Sequence, residues 1–138
     1  MRQYPHLTEP ASSTGPASQA DVLIVDESSD SLEVLRTALR RKGVAAIGTC
    51  HADDGLQLAR TWNPRVIVVD EDSIEHADKP NCHDYEDAAR DKDAYLVLLG
   101  SFRQQAKSPS IEKMAKPYHY AALVRKIEHL LLGTNRAA

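Results

Sequence analysis

The sequence predicts an α/β protein built on a doubly wound, five-stranded parallel sheet. Three observations predict it. Val66-Ile67-Val68-Val69 is a run of β-branched residues without polar alternation, the pattern of a strand covered on both faces. Val22–Val25 and Tyr95–Leu99 read the same way. Between such runs lie segments with apolar residues three and four apart, joined by short connections, so strands and helices alternate. Two of the strands end in acids, Val25-Asp26-Glu27 and Val69-Asp70, at the carboxyl ends where open sheets bind ligands.

The elements follow in order. Residues 1–20 carry Pro5, Pro10 and Pro16 among small polar residues, too little apolar surface to offset ordering entropy, and predict a flexible tail. Strand one is Asp21–Val25. Ser28, Ser29 or Asp30 caps a first helix running to Lys42, with Leu32, Leu35 and Leu39 facing the sheet and Gly43 as the left-handed stop. Val44–Thr49 is strand two. A second helix begins at Asp53 or Asp54, buries Leu56, Ala59 and Trp62, and stops at Asn63-Pro64 before the Val66 strand. A polar third helix covers His83–Lys92, with Tyr85, Ala88 and Ala89 inward. Strand four is Tyr95–Leu99, residues from Gly100 to Pro109 are loop-like, and strand five is Ile111–Ala115. The last helix, Tyr118–Leu132, buries Ala122, Val124, Ile127, Leu130 and Leu131. The domain spans 21–133, with a short tail at 134–138.

Composition narrows the function classes. The 138 residues suffice for one domain with a real core and not for two. A net charge of −3 provides no basic surface for nucleic acid, and no apolar stretch approaches the roughly 20 residues of a membrane span. The start lacks a secretory signal, and Cys50 and Cys82 form no disulfide framework, so a reducing cytoplasmic setting is expected. No Gly-rich turn follows strand one and no GxSxG occurs, which argues against nucleotide-binding enzymes and hydrolases of that type. Strand-end acids would also repel a flavin phosphate.

Three motifs then carry a resemblance. Asp26-Glu27 after strand one, Asp70 after strand three and Lys116-Pro117 after strand five together resemble the receiver domain of two-component response regulators, over about residues 20–133. Leu32-Glu33-Val34-Leu35 and Asn63-Pro64 are similar to that family's first helix and pre-strand turn. The resemblance implies a flavodoxin-like fold and phosphorelay signalling. It implies phosphoryl acceptance on Asp70, charge stabilisation by Lys116, and Mg²⁺ held by Asp26, Glu27, Asp70 and the backbone carbonyl of Asp72. A histidine kinase or phosphotransfer protein would be the donor, and a downstream protein would bind the strand-five and last-helix face. With no output domain in the chain, it is expected to act through protein contacts and to be no enzyme beyond accepting its own phosphoryl group.

The chain also departs from that family. Counting from Asp70, the position of the family's phosphoryl-binding Thr or Ser falls on Gly100, leaving Ser101 as the substitute. The fourth helix is expected to be shortened or absent, because little chain separates Gly100 from Lys116. Lys113 stands where the family often has Tyr or Phe, and Asp72-Ser73-Ile74 replaces its usual Met-Pro. The alternative is therefore a degenerate receiver serving as a phosphorylation-independent adapter. His76, Cys82 and His83 lack metal-ligand spacing, and Tyr118 and Tyr120 are expected to flank the last helix without chemistry.

Overall fold

The computed structural model describes residues 20–74, 80–100, 111–116 and 118–133. Five strands, β1 (Val22–Val25), β2 (Ala46–Thr49), β3 (Val66–Asp70), β4 (Tyr95–Gly100) and β5 (Ile111–Ala115), form one all-parallel sheet in the order β2-β1-β3-β4-β5. Four α-helices are described: α1 (Ser29–Arg41), α2 (Ala52–Trp62), α3 (Cys82–Lys92) and α4 (Tyr120–Gly133). This is the doubly wound, flavodoxin-like class expected, with its switch point between β1 and β3. Both expected tails, at 1–19 and 134–138, and the segment that would hold any helix between β4 and β5 lie outside the described residues. Ala20, expected to end the tail, is buried and donates its N–H to the Trp62 carbonyl.

The sheet separates two cores, and strand alternation decides which residue enters which. Leu23, Val25, Ile67, Val69, Leu96 and Leu98 pack under α2 and α3 with Leu58, Tyr85 and Ala88. Val22, Ile24, Val66, Val68, Val97 and Leu99 pack under α1 and α4 with Leu35, Leu39, Leu123 and Ile127. The β-branched runs are therefore buried on both faces, as read from the sequence.

Local chemistry sets the boundaries. Ser28 caps α1 by accepting from the Ser31 N–H, and Gly43, at φ 81°, turns the chain out of it. The Val44 N–H donates to the Leu39 carbonyl, closing that helix end, so β2 begins two residues later than expected. Asn63 and Asp93 take the same left-handed role after α2 and α3. In α2 the buried face is Leu58 and Ala59, with Leu56 and Trp62 only half-buried. In α4, which begins at Tyr120 and not Tyr118, Leu123 is buried in place of Ala122. Among the described residues no helix is long and apolar enough to cross a membrane.

Candidate functional site

The same alternation that sorts the core aims the acids. Val25 and Val69 are paired across β1 and β3 and face α2 and α3. The next residue on each strand, Asp26 and Asp70, therefore points the other way, toward α1 and α4. Both carboxylates are buried, at 6% and 5% exposure. Asp26 continues the ladder by donating its N–H to the Thr49 carbonyl, and its Oδ1 accepts the Ser28 N–H at 2.9 Å. That turn also presents Ser28 as the α1 cap, so one local motif starts the helix and fixes the acid. Asp70 Oδ1 accepts the Asp72 N–H at 2.9 Å, starting a 3-10 turn over Glu71–Ser73. The Ser73 Oγ then accepts the Glu27 N–H at 2.9 Å and ties the two acidic loops together.

Lys116 reaches this rim from β5. Gly100 pairs with Ala115 at the ends of β4 and β5, and the Lys116 N–H donates to the Gly100 carbonyl. Its Nζ lies 2.5 Å from Asp70 Oδ2 and 3.3 Å from Asp72 Oδ2. Burial pulls the Lys116 pKa down, but hydrogen bonds and attraction from Asp70 and Asp72 outweigh it and hold the ammonium above its ordinary value. Asp26 is raised, first by burial; the Ser28 N–H opposes this, repulsion from Asp70 and Glu27 adds to it, and Lys116 subtracts. One ammonium thus faces an excess of carboxylate.

Above Asp70 and Lys116 opens a cavity of about 430 Å³, lined also by Ser31, Tyr118 and Tyr120. The two tyrosines meet edge to face with ring centroids 5.6 Å apart. The sequence reading gave them no chemistry; they are cavity walls instead. It also named only the carbonyl of Asp72, whose carboxylate pairs with Lys116. The signal available for Tyr118 was its position two residues beyond Lys116, at the same sheet end.

Gly100 lies on the same strand face as Leu96 and Leu98, which belongs to α2 and α3. A Cβ built there falls 2.7 Å from Glu71 Cβ, so Gly100 faces Glu71 and not the Asp70 side of the sheet. Ser101 lies outside the described residues, as does His76. Lys113, paired with Leu98, lies on the Glu71 face. Cys82 donates its thiol to Glu86 and is pushed by burial, then by Glu86, up to about 12.

No group of three or more His, Cys, Asp or Glu side chains among the described residues is gathered to hold a metal. The donors that do converge are oxygens in charge excess: two buried carboxylates, with Glu27 exposed beside them. That set fits a hard divalent cation that retains water and leaves room for phosphate, and not a dedicated protein cage.

Comparison with solved structures is informative at this point. The chain superposes on the receiver domain of a Francisella response regulator with a TM-score of 0.70 at 18% identity, covering 85% of this chain and 100% of that one. A response regulator receiver protein from Sinorhizobium medicae gives 0.70 at 17%, over 85% and 98%. Vibrio cholerae chemotaxis protein CheY4 gives 0.64 at 16%, over 81% and 98%. The fold is that of response-regulator receiver domains. No family model matches the sequence of this receiver-fold chain, and no curated protein does. The likeness therefore resides in the strand order, the covered sheet and the placement of strand ends.

Proposed function

We propose that this chain is a phosphoryl-accepting receiver in a phosphorelay and that Asp70 is the acceptor. The observation that carries the proposal is the Lys116–Asp70 pair, set beside buried Asp26 at the floor of an open cavity. An Asp70 carboxylate oxygen attacks the phosphorus of a donor such as a phosphohistidine. The donor's P–N bond breaks, its imidazole leaves with a proton, and Asp70 carries an acyl phosphate. Transfer between two anions depends on positioning and charge neutralisation.

Lys116 begins on Asp70 Oδ2 and would follow the incoming phosphoryl oxygens, with the Asp72 carboxylate as its second partner. Mg²⁺ would supply positive charge between acceptor and donor, held by Asp26, Glu27, Asp70 and the Asp72 carbonyl. Ser101, which follows Gly100 in the sequence, is kept as the candidate phosphoryl-binding hydroxyl because Gly100 has no side chain. The donor would be a histidine kinase or phosphotransfer protein, and a downstream protein would engage the β5 and α4 face, in a cytoplasmic setting.

A second reading, a phosphorylation-independent adapter, is favoured by the lack of a three-ligand metal group among the described residues. Acetyl phosphate with Mg²⁺, followed by intact-mass measurement, separates the two. The acceptor reading expects one added phosphoryl group, lost in Asp70→Asn and on chelation. An unmodified wild-type chain at millimolar donor supports the adapter.

A further inference from the structure

Three hydroxyl groups line the cavity above Asp70 among the described residues, those of Ser31, Tyr118 and Tyr120. Lys116 is the cation there, and it already divides its donors between Asp70 and Asp72. A phosphoryl group carries about two negative charges and three strong acceptor oxygens, more than one ammonium satisfies. Further donors are required on the cavity wall.

Tyr118 is the best placed of the three. It follows Lys116 by two residues and half-buries its ring against the α1 and α4 core. Its edge contact with Tyr120 limits the directions that ring can take. It lines the same cavity as Asp70 and Lys116, and Asp26, Asp70 and Lys116 all act on its ionisation. Burial first, then Tyr120 and the two aspartates, pushes it up to about 12, so the group remains an O–H donor across the physiological range. Among the described residues the hydroxyl makes no hydrogen bond. A half-buried phenol ordinarily finds an acceptor, and an anion in the cavity would provide one.

We propose that the Tyr118 hydroxyl donates a hydrogen bond to an oxygen of the phosphoryl group on Asp70, making Tyr118 a phosphoryl-binding residue of the cavity. This rests on the reading of Asp70 as acceptor. The hydroxyl adds no nucleophile and takes no proton; it stabilises the bound anion and slows its loss. Tyr120 acts through Tyr118, as the surface that orients it.

The test uses beryllofluoride with Mg²⁺ as the probe, titrated calorimetrically into the wild-type chain, Tyr118→Phe and Tyr120→Phe. Tyr118→Phe retains the ring and its edge contact while deleting one donor. A charge-assisted hydrogen bond at a partly solvated site predicts about tenfold weaker beryllofluoride binding. Affinity for Mg²⁺ alone should change less than about twofold, because the phenol does not approach the cation as a ligand. Tyr120→Phe should stay within about twofold on both, since only its ring is used. Unchanged beryllofluoride affinity in Tyr118→Phe overturns the proposal while leaving the acceptor reading intact. Equal losses of Mg²⁺ affinity, probe affinity and thermal midpoint indicate a structural role and also overturn it. Failure of the wild-type chain to bind beryllofluoride removes the acceptor reading and this inference together.

Discussion

Lys116 Nζ stands 2.5 Å from Asp70 Oδ2, joining the ends of β5 and β3 across β4. The contact is possible because Asp70 pairs with Leu99 and Lys116 follows the Gly100–Ala115 pair, so both side chains leave the sheet on one face. Replacing Lys116 with Met leaves a 5%-exposed carboxylate near Asp26 without its cation. Because Lys116 is itself about one-third exposed, the expected loss is the lower end of a broken buried pair, about 1–3 kcal/mol in urea unfolding at pH 7. Lys116 is raised in the folded state, so its stabilising share is complete below the ordinary lysine value and fades as pH climbs through the raised one. Unfolding of Lys116→Met and wild type should therefore converge only at strongly alkaline pH.

Asp26 has the opposite consequence. Its carboxyl is raised in the folded state, chiefly by burial, so folding favours the protonated form. Its share of stability is complete below the ordinary aspartate range, declines as pH rises through the raised value, and is a net cost at neutral pH. Asp26→Asn retains an acceptor for the Ser28 N–H and should be more stable than wild type at pH 7. The gain should vanish below pH of about 4, where both states are protonated. Millimolar Mg²⁺ should raise the wild-type thermal midpoint and move Asp26→Asn much less; an equal rise in both would place the cation elsewhere.

Gly100 is constrained by its neighbour and not by its own dihedral. A Cβ there lies 2.5 Å from Glu71 Oε1 and 2.7 Å from Glu71 Cβ, and the second atom cannot swing away. Gly100→Ala should cost about 1–3 kcal/mol. Removing the Glu71 Cβ in a Gly100→Ala/Glu71→Gly double variant should recover most of that loss. A double-mutant cycle in denaturant reads the coupling, and additivity would show that the two do not touch.

Tyr85 tests the opposite core. Its fully buried hydroxyl donates to the Ala52 carbonyl at 2.5 Å, pinning α3 to the start of α2. Burial pushes its ionisation up, so it remains a donor. Tyr85→Phe keeps the ring but deletes the hydrogen bond to that carbonyl, and thermal unfolding should report a loss of about 1 kcal/mol. The cavity above Asp70 is on the other face, so Tyr85→Phe should respond to acetyl phosphate as the wild-type chain does.

Most of the architecture was legible because buried parallel strands leave an uninterrupted apolar signature rich in β-branched residues, and Val22–Val25 and Val66–Val69 show it plainly. Asp26 and Asp70 were legible because each stands directly at the end of such a run, and Lys116 because it precedes Pro117 after the half-exposed β5. Leu58 and Leu123 were missed because each adjoins another apolar residue, and helical spacing alone does not choose between neighbours. The tyrosine walls were hidden for a different reason. Tyr118 and Tyr120 acquire their place from the approach of α4 to the β3 end, a tertiary fact with no local periodicity.

The most direct test of the central claim traps the acyl phosphate chemically. The chain is treated with acetyl phosphate and Mg²⁺, reduced with borohydride so that a phosphorylated aspartate becomes an alcohol, and mapped by tandem mass spectrometry. Reduction confined to Asp70, dependent on both donor and cation, is the predicted result. Reduction at Asp26 or at no residue contradicts it.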